Sequence, residues 1–100
     1  MSYTYRLNPL ILQDYEEAYS WYEDKLTGLG ERFAEAVRNK LEEIALKPEI
    51  FSKTKSRSFR EASVDRFPYK IIYKIGKSHK EIYISSIHHN KKHPRNKYRK

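Results

Sequence analysis

Hydrophobic and polar positions change period halfway along the chain. Tyr3, Tyr5 and Leu7 alternate with Thr4 and Arg6, the two-residue repeat of a short strand. Asn8-Pro9 then reads as an N-cap followed by proline at the first helical position. Beyond it Ile11, Tyr15, Ala18, Tyr19, Tyr22 and Leu26 recur at helical spacing, with Asp14, Glu16, Glu17, Glu23 and Asp24 on the remaining surface. Gly28-Leu29-Gly30 breaks this helix. A second runs from about Leu29 to Leu46, with Phe33, Val37, Leu41 and Ile44 on one stripe, and Lys47-Pro48 ends it. So tight a link predicts an antiparallel hairpin whose apolar face needs a partner.

Strand character follows. Residues 52–58 are a polar, basic loop, Phe59 to Val64 a strand, and Asp65 to Pro68 a turn. Tyr69, Ile71, Tyr73 and Ile75 alternate along the next strand; after the turn from Gly76 to Lys80, Glu81 to Ile87 forms the last. The expected fold class is α+β: an N-terminal strand and a helical hairpin packed on a small antiparallel meander. At 100 residues the expectation is one domain, 1–100, ending in a basic tail at about 91–100.

Charge sharpens this division. Residues 52–100 hold 15 Lys/Arg against Glu61, Asp65 and Glu81, a balance of +12, whereas residues 1–51 hold 6 Lys/Arg against 10 Asp/Glu, or −4. The histidine-bearing strands and the tail therefore present a face to a polyanion. No apolar run approaches the ~20 residues of a membrane span, and Met1 to Arg6 lacks a signal-peptide core, so a cytoplasmic protein with no membrane association is expected. Cysteine is absent, which excludes disulfides and thiolate chemistry.

Candidate chemistry is concentrated in the basic half. Gly28-Leu29-Gly30 lacks the third glycine and preceding strand of a nucleotide-binding loop, and serves better as a helix-ending turn. His88, His89 and His93 invite a metal reading. Neighbours on a strand point to opposite faces, though, and no carboxylate lies in the segment, so no metal and no cofactor are expected. Arg60, His88 and His89 are the candidate catalytic residues, on the expectation that the strand starting at Phe59 and the strand ending at Ile87 approach across the sheet. An arginine fork holds phosphate, and a histidine exchanges protons near neutral pH. Lys91, Lys92, Arg95, Tyr98 and Arg99 are candidates for binding nucleic acid or a protein partner, Tyr83 and Tyr98 as aromatic platforms among cations. Trp21 and Tyr22 are read as packing between helices and sheet. From spacing alone, binding without catalysis and metal-independent RNA cleavage both stand.

These segments together resemble the RelE/ParE superfamily of toxins from bacterial type II toxin–antitoxin systems. The resemblance rests on Ala18-Tyr19-Ser20-Trp21-Tyr22-Glu23, Gly28-Leu29-Gly30-Glu31-Arg32-Phe33, Ile44, Pro48 and Arg60. Phe67 to Ile75, Ile87 and His89-Asn90-Lys91-Lys92-His93-Pro94 complete it. It implies a helical hairpin on a small antiparallel sheet. It also implies a cognate antitoxin as partner and one of two targets: ribosome-associated mRNA, cut without metal by RelE-like members, or DNA gyrase, inhibited by ParE-like members. By position, Arg60 matches the arginine that begins the family's second strand, and His89 the histidine of its ending motif. Lys92 stands where arginine is usual, which removes a bidentate hold on phosphate. The Trp-Tyr-Glu and Phe-Pro-Tyr blocks lean toward the ParE-like branch. A nucleic-acid-binding or decayed toxin domain without activity is the remaining alternative.

Overall fold

A computed structural model describes residues 3–54, 58–76, 80–91 and 97–99. Five strands form one sheet in the order β1-β5-β4-β3-β2. They are β1 Thr4–Leu7, β2 Ser52–Lys53, β3 Arg60–Ser63, β4 Tyr69–Ile75 and β5 Glu81–His89, with helices α1 Ile11–Lys25 and α2 Leu29–Leu46 between the first two strands. The expected meander is present as β3, β4 and β5, all antiparallel. Two features add to it. The first strand returns across the helices to lie parallel to β5, Tyr5 beside Ile82 and Leu7 beside Ile84. In addition, Ser52–Lys53, expected as loop, forms a two-residue edge strand against β3.

The alternating residues divide the sheet into two faces. Ile71, Tyr73, Ile82, Ile84 and Ile87 join Phe33, Val37 and Ile44 in the core under the helices. Phe33 is fully buried, with its ring centroid 5.4 Å from Tyr22, 5.3 Å from Phe67 and 5.1 Å from Tyr69. Such stacked and edge-on contacts suit the quadrupoles of aromatic rings. Burial pushes the Tyr73 phenol up to about 12, and its hydroxyl donates to the Pro48 carbonyl at 2.5 Å. The chain leaving α2 is thereby fixed to the sheet.

Near the middle of β5 the register shifts, because Ile72 pairs with Ser86 while Tyr73 pairs with Ile84. Ser85 is the extra residue of a β-bulge. It reverses the alternation, so that Ile87 faces the helices as Ile82 and Ile84 do.

Local chemistry accounts for both helix ends. Asn8 does not cap α1 from the N-cap position, which belongs to Leu10. Its Oδ1 instead accepts the Leu10 amide at 2.9 Å in an Asx turn ahead of the helix, while its Nδ2 donates to the Tyr83 hydroxyl at 2.7 Å. Between the helices Gly28 takes φ +92°, a left-handed conformation that favours glycine. The Glu23 carboxylate accepts the Gly28 amide at 3.0 Å and the Gly30 amide at 3.0 Å, satisfying the start of α2. A Cβ on Gly30 would sit 2.9 Å from Glu23 Oε1 and 3.1 Å from the Tyr19 ring, so a larger residue there would push this carboxylate away from the two amides.

Candidate functional site

Past Leu7, no described strand pairs with the outer side of β5. The half-edge from Ser85 to His89 faces α1 instead, across a cleft of about 420 Å³. Asp14, Glu17, Ala18 and Trp21 of α1 form one wall, Tyr69 and Ile87 the floor, and His89, Lys91 and Arg99 the opposite rim. Trp21 was expected to pack inside. Its ring is 58% exposed at the cleft, with Lys25 Nζ 4.2 Å above its centroid. Tyr22, one residue on, turns into the core as expected.

Asp14 sits at the junction of helix and edge. Its Oδ2 accepts the outward-pointing Ile87 amide at 3.1 Å. The same carboxylate takes Arg99 Nη1 at 2.6 Å and Nη2 at 2.8 Å, a bidentate fork. Both side chains are mostly buried, which strengthens the pair relative to one in water. One carboxylate thus closes a strand edge and anchors the end of the chain.

Residues 97–99 cross the outer face of the sheet as a strap, fastened mainly by polar groups. Ser86 Oγ donates to the Lys97 carbonyl at 2.8 Å, and Ser85 Oγ to that of Arg99 at 2.9 Å. The Arg99 amide donates back to Ser85 Oγ at 2.6 Å. Tyr98 packs on Phe59 with centroids 5.2 Å apart. Lys97 Nζ forms a salt bridge with Glu61 Oε2 at 3.1 Å. Lys70 Nζ donates to Glu61 Oε1 at 3.3 Å. Burial alone would raise the Glu61 carboxyl, but Lys97 and then Lys70 hold it below its ordinary 4.5.

Alongside the strap, cations and rings alternate. Arg6 lies 5.4 Å from the Tyr83 ring centroid, and Lys74 is 5.9 Å from Tyr83 and 5.5 Å from Phe59. Tyr83, expected as an open platform, therefore has cations against its ring already.

The candidate catalytic residues are not brought together. Arg60 pairs with Tyr73, and His88 with Lys70, three residues further along β4. That offset is about 10 Å of strand, in addition to the two interstrand spacings between β3 and β5. Arg60 also faces the helix side, where Nη1 donates to the carbonyls of Glu49 at 3.2 Å and Phe51 at 2.8 Å. Its guanidinium pins the turn after α2. His88 is buried on the outer face beside Lys70. His89 points to the opposite side, edge-on to Tyr69 at 4.9 Å, and its Nδ1 accepts the Lys91 amide at 3.0 Å. The expectation that adjacent histidines diverge on a continuing strand is thus met. Of the binding candidates, Lys91 and Arg99 meet at the cleft and Tyr98 lies on the outer face. Lys92 and Arg95 fall outside the described residues.

Comparison with known proteins now decides the family. A family model described as the ParE toxin of the type II toxin–antitoxin system, parDE, matches residues 5–94. The chain belongs to the ParE toxin family. Two solved structures have the same fold. One is from the chromosomal ParDE toxin–antitoxin system of P. aeruginosa, with a TM-score of 0.65 and 16% identity, covering 88% of this chain and 96% of that one. The other is a doubly substituted E. coli toxin RelE in the free state, with a TM-score of 0.65 and 15% identity, covering 91% of this chain and 86% of that one. No curated protein matches.

Membership gives the sequence blocks a physical meaning. In this ParE toxin Glu23 and the two glycines build the interhelical turn, Phe67 and Tyr69 close the aromatic core, and Arg60 holds the turn at Pro48–Ile50. Pattern reasoning missed Asp14, Glu17 and Ser86 at the cleft, and Ser85 and Glu61 under the strap of residues 97–99. One signal was available for the serines. Isoleucines at 82, 84 and 87 break the two-residue period, which marks the bulge.

Proposed function

We propose that this ParE-family protein arrests bacterial growth by gripping a macromolecular target, DNA gyrase, in the cytoplasm, and that a small acidic antitoxin silences it. The carrying observation is the separation of Arg60 from both histidines. Phosphoryl chemistry without metal requires a cation and a proton carrier around one phosphate. Here the arginine is turned toward the backbone carbonyls of Glu49 and Phe51 on the opposite side of the sheet from His88. The cleft beside α1, with Trp21 exposed at it and Lys91 on its far side, supports binding instead. In no helix among the described residues is there an apolar stretch long enough to cross a membrane.

The mRNA-cleaving reading keeps one observation in its favour, His88 and Lys70 side by side on the outer face. Pulse labelling after induction separates the two. Incorporation of labelled thymidine is expected to fall before that of labelled amino acids. The reverse order would favour mRNA as the target, and unimpaired growth would remove toxicity altogether.

A further inference from the structure

β1 closes one side of the sheet, and no described strand lies beyond it. Its Thr4 amide donates to the Lys80 carbonyl at 3.1 Å, and the Asn8 amide just past it to that of Ile84 at 3.0 Å. Even-numbered residues thus bond toward β5, and odd-numbered ones turn their amides and carbonyls outward. At Tyr3 the outward amide is already taken, by the Ala45 carbonyl of α2 at 2.8 Å. Tyr5 and Leu7 are left with an outward donor and acceptor each on an exposed edge. Such residues at alternate positions match themselves across a two-fold axis at Arg6. Tyr5 then pairs with Leu7 of a second copy and Leu7 with its Tyr5, so that every outward amide and carbonyl of the two residues finds a partner.

The side chains around this edge fit the same axis. Tyr5 and Leu7 lie beside Ile82 and Ile84 and share their helix-facing side, yet are 40% and 53% exposed. Cross-strand pairing brings Tyr5 of one copy against Leu7 of the other. α2 runs back along the same side, its Leu41 carbonyl accepting the Tyr5 hydroxyl. Burial and then the charge of Glu42 raise the Tyr5 phenol above its ordinary 10.0, which sets Glu42 next to β1. Arg38, one turn earlier, shares that side of the helix. Both are exposed, and neither forms an ion pair among the described residues. The axis that pairs Tyr5 with Leu7 lays the two α2 helices antiparallel and sets Arg38 of each copy against Glu42 of the other. Arg6 faces its own copy at the axis, but its guanidinium leans back over the Tyr83 ring at 5.4 Å and toward Glu81 at 4.0 Å.

We infer that β1 and the adjoining side of α2 form a self-complementary surface through which the protein pairs with a second copy of itself in one continuous sheet. This goes beyond the growth-arrest reading and does not rest on it. The paired surface is small for a protein interface, so the dimer is a weak one, with a Kd of about 10–100 µM.

Sedimentation equilibrium of the full chain at about 0.15 M salt, over roughly 1–500 µM, is expected to show this monomer–dimer equilibrium. Arg38→Glu and Glu42→Arg each set like charges against one another in both symmetry-related pairs. Each should weaken the dimer at least about tenfold. The double variant restores opposite charges and should bring the affinity back to within about threefold of the parent, a rescue that a merely structural role would not give. Leu7→Pro removes an outward amide while leaving the bonds to β5 intact, and should abolish the dimer. All three positions are exposed, so the variants keep the fold. A monomer throughout this range overturns the inference. So does a dimer that the charge reversals leave unchanged, or one that the double variant fails to restore, because its contacts then lie elsewhere.

Discussion

The two faces of the sheet are held by different forces. Under the helices, Phe33, Ile44, Ile71 and Tyr73 are buried by shape and apolar area, and the polar groups among them, such as the Tyr73 hydroxyl, are tied to backbone. Across the outer face, residues 97–99 are fixed mainly by hydroxyls, a buried carboxylate and two salt bridges, with one ring contact at Tyr98. The first kind of contact tolerates salt and pH because it carries no charge. The second depends on ionisation and on having both partners present. The fold is therefore built on one face, and its adjustable, partner-facing chemistry lies on the other and at the edge between them.

The two faces differ most in what their cores lose on truncation. Phe33→Ala should cost about 3–5 kcal/mol, read from denaturant midpoints, since it empties a fully packed aromatic site. A loss as small as that at an exposed residue would mean that the faces do not differ as described.

Arg99→Ala should cost about 1–3 kcal/mol, because Asp14 is left mostly buried without its cation. A double-mutant cycle with Asp14→Ala should recover much of that cost, whereas additive effects would show that the pair does not act as one unit.

The third effect depends on pH. Glu61 is held below its ordinary 4.5 in the folded state, so its contribution is fully present above that pH and is lost as pH falls through the lower folded value. Glu61→Gln should flatten this acid limb of the stability curve while leaving Phe33→Ala equally damaging at all pH values. A variant with an unchanged acid limb would show that the lysines do not hold the carboxylate.

Smallest of all, Trp21→Ala should change stability by no more than about 0.5 kcal/mol, as its ring is largely exposed. It should nevertheless weaken the complex with the adjacent-gene protein, which isolates binding from folding.

The inner face was legible in the sequence because periodicity reports burial. The helical hairpin, the three-stranded meander and the core residues Phe33, Val37, Ile44, Ile71 and Ile82 all follow from spacing. The outer face was less legible because its contacts join residues distant in sequence. Asp14 and Arg99 are 85 positions apart, and nothing in either segment marks the other as its partner. Trp21 misled for a related reason, since a large aromatic next to the apolar stripe of α1 is counted as core until the cleft beside it is seen. Arg60 was singled out as a catalytic cation, whereas its guanidinium donates to a pair of backbone carbonyls, and its sequence neighbours give no sign of that.

Whether this toxin grips and does not cut is decided by supercoiling of relaxed plasmid by purified gyrase in the presence of the protein. Inhibition of supercoiling is expected, in a reaction that contains no RNA to cut. Full supercoiling at a large excess of toxin would contradict it.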